Sequence, residues 1–224
     1  MNKKVAFGFL WLSFVIYAFF LAPPEQPGTF ELIKNLSTGK WDGVNPLVVS
    51  LFNIMGVLPM VYSCLLFIDG RNQKISAAPF ALFSFGVGAF ALLPYLFLRQ
   101  PNSGFTGKKD WFIKVLDSRI TGILLLASSV LLVIYGLVNG NWTDFLQQWQ
   151  TNRFINVMSL DFCLLCLLPS VLISDDMARR NMNNSVLFWT TVLLPLFGTL
   201  VYLSVRSPIP EESKQLSPPQ PVST

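Results

Sequence analysis

Asn156-Val-Met-Ser-Leu-Asp161-Phe-Cys163-Leu-Leu-Cys166-Leu-Leu-Pro169, followed closely by Asp175-Asp176-Met-Ala-Arg179-Arg180, is the stretch on which the fold turns. Its first part is apolar enough to enter a bilayer, yet it holds a carboxylate at Asp161 and two thiols one helical turn apart. A hydrocarbon core about 30 Å thick is crossed by a helix of about 20 mostly apolar residues. Six stretches meet that length: 5–22, 46–68, 79–98, 120–138, 154–173 and 186–205. The composition agrees, with 52% hydrophobic and 12% charged residues and 20 Phe, where soluble domains are about a quarter charged. The expectation is an all-α, polytopic membrane bundle of about six transmembrane helices, a single domain over 1–206. The tail 207–224, rich in Pro, Ser and Gln, cannot bury a core and reads as disordered.

The connecting segments have patterns of their own. Residues 28–36 fit a short helix lying on a membrane surface. Trp111, Phe112, Val115 and Leu116 share one helical face, opposite Lys and Asp. Trp142, Phe145, Leu146 and Trp149 do the same further on, with Thr143 as a candidate cap. Both patterns suit interfacial helices, with tryptophan at headgroup depth. Pro59, Pro94, Pro169 and Pro195 fall inside apolar stretches, and each removes one N–H from the helix ladder, so kinks are expected there. Ser84, Gly86, Gly88 and Ala89 read as small residues that let helices pack closely.

The charge pattern excludes some classes. The net charge is +4, but the basic residues sit between apolar runs rather than on a face, which argues against nucleic acid as a partner. Histidine is absent, which removes the commonest metal ligand and neutral-pH base. Cys64, Cys163 and Cys166 lie among leucines and read as packing residues. No metal, cofactor or catalytic set is expected. With six crossings, the positive-inside rule nearly cancels and leaves the orientation open. Partial likeness between Asn53…Pro59…Asp69…Arg99 and Asp161…Pro169…Asp175…Arg206 suggests two three-helix halves of inverted topology.

Asp161 is the strongest single signal. A carboxylate two turns inside an apolar span is costly and by default functional, facing a bundle interior or a wet cavity. The alternative is a structural hydrogen bond between helices. Its candidate partners for a ligand or proton site are Asn53, Tyr62 and Tyr95. Asp175 with Arg179, and Asp176 with Arg180, form acid-first i,i+4 pairs that read as solvated clamps at a helix end.

The segments Asn45-Pro46…Asn53-Ile-Met-Gly56-Val-Leu-Pro59, Asp69-Gly-Arg71, Leu92-Leu-Pro94-Tyr95 and Asp161-Phe…Asp175-Asp176-Met-Ala-Arg179-Arg180 resemble an uncharacterised six-helix integral-membrane family of cyanobacteria with plastid-targeted plant relatives. The resemblance covers about 28–206 and carries no catalytic role. It implies a thylakoid or plasma membrane, and photosynthetic membrane proteins or pigments as partners beside the lipid bilayer. The last hairpin also resembles small plastid membrane proteins needed for neoxanthin formation. On these grounds the expected function is a non-enzymatic accessory or assembly factor of a photosynthetic membrane that binds protein, pigment or lipid. A small transporter or channel using Asp161 is the alternative. A membrane enzyme of carotenoid or lipid metabolism ranks below both.

Overall fold

The computed structural model describes residues 3–102, 104–105 and 109–210, and over these it is helical with no strand. Four helical stretches are long and apolar enough to cross a membrane. The first is Lys4–Leu21, formed by α1 (Lys3–Ile16) and a π-turn at Tyr17–Leu21. The second is α3 (Pro46–Asp69) and the third α7 (Arg119–Asn139). The fourth, Arg153–Arg179, joins α9 (Arg153–Leu167) to α10 (Pro169–Arg179) across a break at Leu168. Short helices α2 (Thr29–Thr38), α6 (Trp111–Asp117) and α8 (Trp142–Thr151) occupy the connecting segments. Asn141, not Thr143, caps α8, by accepting the Asp144 N–H.

Two of the six expected spans are not long helices. Residues 79–98 form α4 (Ala78–Val87) and α5 (Ala89–Leu98), and residues 186–205 form α11 (Ser185–Leu193) and α12 (Pro195–Val205). At a rise of 1.5 Å per residue, each is about half the thickness of a hydrocarbon core. Both pairs fold back on themselves. Gln73 before α4 meets Gln100 after α5 in two hydrogen bonds, side-chain amide to backbone carbonyl and backbone N–H to side-chain oxygen, at 2.7 and 2.8 Å. In the second pair, the Ser207 N–H after α12 reaches the Met182 sulfur before α11. The turns have local causes. Gly88 adopts φ 54°, ψ −127°, which a side chain would strain. Pro195 disfavours the helical region for Leu194, which leaves the helix at φ −121°, ψ 71°. A Cβ on Gly198 would lie 2.0 Å from the Thr190 carbonyl oxygen, so α12 returns in backbone contact with α11.

Prolines inside the apolar runs orphan carbonyls, and other helices supply the donors. Pro94 frees the Phe90 carbonyl, which accepts from the Trp11 indole at 3.0 Å. Pro169 frees the Leu165 carbonyl, which accepts from the Tyr62 hydroxyl at 2.8 Å. Each bond ties a broken helix to a neighbour, α5 to α1 and α9 to α3.

Each hairpin is pinned to the span before it by the same set of side chains. Asp69, fully buried at the end of α3, accepts from Tyr95 (2.6 Å) and, bidentately, from Arg99 (2.9 and 2.6 Å). Asp176, fully buried near the end of α10, accepts from Tyr202 (2.7 Å) and Arg206 (3.1 Å). The spacings match: Asp to Tyr is 26 residues and Asp to Arg is 30 in both. The chain is therefore an internal repeat of span, surface helix, span and folded-back hairpin. Arg179 links the two acids, at 2.9 Å from Asp69 and 3.7 Å from Asp176. Both pins therefore lie at one end of the bundle, and the halves run in the same direction. The inverted arrangement expected from the sequence does not hold, because it needed three crossings in each half, and the third apolar stretch of each half folds back as a hairpin.

The expected helix-end clamps are rearranged in the same cluster. Asp176 does meet Arg180, at 2.8 Å, but both are buried rather than solvated. Asp175 turns to Arg99, and Arg179 to Asp69. Arg180 also reaches Asp117 at 2.6 Å, and Lys109 meets Asp117 at 3.0 Å. The segment after α12 joins in. Ile209 is buried, its N–H donates to Asp117 and its carbonyl accepts from Lys109. Order thus continues past 207, and the expected tail from 211 onward lies outside the described residues.

The fold-back is checked by cross-linking. With Cys64, Cys163 and Cys166 replaced by Ser, the double variant Gln73→Cys/Gln100→Cys should form a disulfide under mild oxidation, read as a gel shift after cleavage between the two sites. Were 79–98 a continuous span, those positions would stand about 30 Å apart and no such bond would form.

Candidate functional site

The turn of the first hairpin leaves the α5 N-terminus in the apolar interior with backbone N–H groups to satisfy. Asp161, on α9, supplies the acceptor: the Ala89 N–H donates to its Oδ1 at 2.8 Å. A carboxylate is favoured there by the positive end of the α5 dipole. The fit is close. A Cβ on Gly88 would fall 1.8 Å from Asp161 Oδ2, so the glycine is required both for its backbone angles and for room. Asp161 is 5% exposed.

Asp161 also lines a cavity of about 710 Å³ bounded by the end of α1, α2, α3, the first hairpin turn and α9. Most of the wall is apolar, with Phe52, Met55, Phe90, Phe154, Val157 and Met158 among its members. Asn53 and Ser84 join Asp161 on the inner wall, while Glu25, Thr29, Ser37 and Arg153 lie at the end near α2. That end is tied down by Arg153, which donates from Nε to the Pro23 carbonyl (2.9 Å) and from its backbone N–H to that of Pro24 (3.3 Å). The π-turn at Tyr17–Leu21 contributes Ala18 and Phe19. Gly56, Phe85, Gly86 and Val87 line the cavity and are themselves exposed, so it also opens sideways between α3 and the hairpin turn.

Of the residues singled out from sequence, Asp161 and Asn53 come together in this cavity. Tyr62 and Tyr95 do not. Tyr62 serves the Leu165 carbonyl and Tyr95 serves Asp69, each fully buried elsewhere. Gly88, Ser84, Glu25 and Arg153 were not expected at the site. The Ser84-Phe-Gly86-Val-Gly88 run was legible, but as a packing stripe; the paired glycines amid a long apolar run are the signal of a turn there. Cys163 is exposed and Cys166 buried, and neither lines the cavity. Among the described residues no group of three His, Cys, Asp or Glu is placed to hold a metal ion.

Comparison with known proteins returned no match: no family model, no curated protein and no solved structure aligns significantly with the chain. The chemistry of the site must therefore be read from its geometry. A concave, largely apolar space of this volume with a few convergent polar groups is the form of a small-molecule site.

The clamp between hairpin turn and acid is checked by substitution. Gly88→Ala should destabilise the purified protein by about 1–3 kcal/mol through backbone strain alone, with displacement of Asp161 adding to it. Asp161→Asn should accumulate as the wild type does, since an amide oxygen can still accept the Ala89 N–H. Thermal unfolding in detergent reads both; an unchanged melting temperature for Gly88→Ala would remove the clamp.

Proposed function

We propose that this chain is a multi-pass membrane protein that holds a lipophilic molecule, of the pigment or lipid class, in the cavity beside Asp161. The observation that carries the reading is the sideways opening of that cavity on an apolar flank. Phe19, Phe85 and Val87 stand 65%, 52% and 49% exposed at its edge. A water-soluble ligand would gain nothing from such an entrance, whereas a bilayer-dissolved one would meet it directly. The outer faces of α1, α7 and both hairpins are likewise apolar, with Phe9, Phe83, Leu124, Leu131 and Val186 more than half exposed, a pattern suited to contact with lipid tails.

Four crossings, with both hairpins re-entrant from one side, also favour one orientation. Lys34, Lys40 and Arg153 then fall at one end of the bundle. The other Lys and Arg of the described residues fall at the end that holds Asp69 and Asp176. By the positive-inside rule that end is cytoplasmic, or stromal in a plastid, together with the N-terminus. An impermeant thiol reagent applied from that side should label Lys4→Cys and Lys114→Cys and spare Lys40→Cys in a cysteine-free background; labelling of all three from one side would refute the arrangement.

Within this reading the protein is an accessory factor that stores, presents or positions its ligand for other membrane proteins. Its motifs resemble a cyanobacterial and plastid family, which favours a thylakoid or plasma membrane and a photosynthetic pigment or lipid. A transporter is the second reading, because the cavity ends where an acid of α9 meets a re-entrant hairpin turn, an arrangement suited to gating. The test is purification in mild detergent followed by solvent extraction and mass spectrometry. The wild type should retain a lipophilic compound near one per chain. Gly56→Trp should lose it, since Gly56 lines the cavity, a Cβ there would meet no heavy atom within 4 Å, and the indole would obstruct the sideways opening. Equal recovery from both proteins, or no compound from the wild type, would sink the proposal.

A further inference from the structure

The hydrogen bonds around the inner wall restrict what the cavity can hold. Asp161 commits Oδ1 to the Ala89 N–H, and no donor among the described residues reaches its Oδ2. Ser84 donates its hydroxyl hydrogen to the Ala81 carbonyl at 2.7 Å, which leaves its oxygen as an acceptor only. Asn53 donates one amide hydrogen to the Val49 carbonyl at 2.8 Å and keeps its Oδ1 and one N–H. The wall thus offers three acceptor oxygens against a single remaining donor hydrogen. No cation answers the carboxylate. The ion pairs of the described residues gather at the Asp69 and Asp176 end, and Arg153, the one base among the described lining residues, stands at the other end of the cavity near α2, where its Nε donates to the Pro23 carbonyl.

We infer that the cavity selects an amphipathic molecule whose polar end is a hydrogen-bond donor, an alcohol or a protonated amine, seated on Asp161 Oδ2 with its hydrocarbon body toward the sideways opening. The inference rests on the ligand-binding reading above and adds which end of which ligand is recognised. A donor head fills the bonding capacity that Asp161 and Ser84 leave open. A head that only accepts brings a second lone pair to those oxygens and leaves all of them desolvated. A site built around unpaired polar groups discriminates against the analogue that cannot pair them. The hydrogen-bonding rule also accounts for the placement of the acid. Capping the α5 N-terminus needs one carboxylate oxygen; the second remains for the ligand.

The test uses the full chain in nanodiscs of a zwitterionic phospholipid, with hexadecanol, hexadecylamine and hexadecyl methyl ether as probes of equal tail. Retained probe is measured by native mass spectrometry. The wild type should hold the alcohol or the amine at least about tenfold better than the ether. Asp161→Asn, whose oxygen stays with the Ala89 N–H, presents an amide N–H where Oδ2 stood, so the protonated amine should be lost and the preference for alcohol over ether should shrink; unchanged retention of the amine would count against the inference. Asp161→Leu should erase the preference over the ether; if that variant does not fold, Ser84→Ala, which removes an acceptor on the same wall, should narrow it. Equal retention of the ether by the wild type, a preference that survives Asp161→Leu, or no retention of either donor probe would overturn the inference. Gly56→Trp distinguishes the two levels of failure. Unselective binding that this variant abolishes leaves the cavity as a ligand site and removes only the donor rule, whereas retention unaffected by it removes the cavity reading itself.

Discussion

The fold depends on two buried carboxylates, Asp69 and Asp176, each of which gathers a tyrosine and an arginine from the far end of the hairpin that follows it. A folded-back pair of half-length apolar helices has little to hold it together in an apolar medium. Lipid tails offer no hydrophobic drive for one helix to pack on another, and the hairpin's turn leaves backbone groups unpaired. A charged network at the hairpin's base supplies the missing restraint. Burying such charges is expensive, and loss of one partner from a buried pair typically costs about 3–5 kcal/mol because the other is stranded. Here each acid meets more than one cation, and Arg179 and Arg180 carry the network from Asp69 through Asp176 to Asp117. The end of the bundle is in effect a single electrostatic body, and both hairpins and the segment around Ile209 are anchored in it.

That anchoring determines what happens at the opposite end of the hairpin. With the base of α4 and α5 held, the turn at Gly88 comes to rest against Asp161, and the space beyond it stays open as the cavity. The two ends of the hairpin thus have different physical characters. The base is densely charged, with Asp69 and Asp176 each meeting more than one cation, and Arg179 Nε and Nη2 and Arg206 Nε buried there without a hydrogen-bond partner. The turn is sparse, with one acid, one backbone donor and an apolar wall. Paired charge is concentrated in the first, and a carboxylate that no cation among the described residues pairs with sits at the second.

The sequence shows part of this and conceals the rest for identifiable reasons. Hydropathy identifies every apolar stretch, and the surface helices follow from their aromatic faces. It does not distinguish a span from two half-helices folded together, because both are about 20 apolar residues; only the Gly86-Val-Gly88 and Leu194-Pro195 interruptions differ, and they read equally well as packing or kink. The acid pairs at 175–180 are legible as helix-end salt bridges but not as buried ones, since periodicity along one helix says nothing about Asp69 or Arg99 approaching from another. Asp161 and Asn53 are found by the cost of polar groups in an apolar run. Tyr62 and Tyr95 bond elsewhere because a tyrosine hydroxyl reaches any nearby acceptor, and the acceptors that win, the Leu165 carbonyl and Asp69, are products of the fold. The repeat itself is present in the sequence as two equal Asp–Tyr–Arg spacings, but its hand depends on whether the third apolar stretch of each half crosses or folds back, which hydropathy does not decide.

Comparing the two halves sharpens the assignment of the site. Where the second half has Asp161, the same distance before its pinning acid, the first half has Ile54, buried in the main apolar core. Where the first hairpin turns on Gly88 against a carboxylate, the second turns on Leu194-Pro195 and closes on itself, with Gly198 against the Thr190 and Thr191 backbone. The pins are duplicated and the turn is not. A group needed only to hold a hairpin in place should recur with the hairpin, as Asp, Tyr and Arg do. Asp161 has no counterpart, although the second hairpin folds back without one. Its retention beside an open cavity is therefore not explained by the architecture alone, and a ligand that occupies the free carboxylate oxygen supplies the explanation the fold does not.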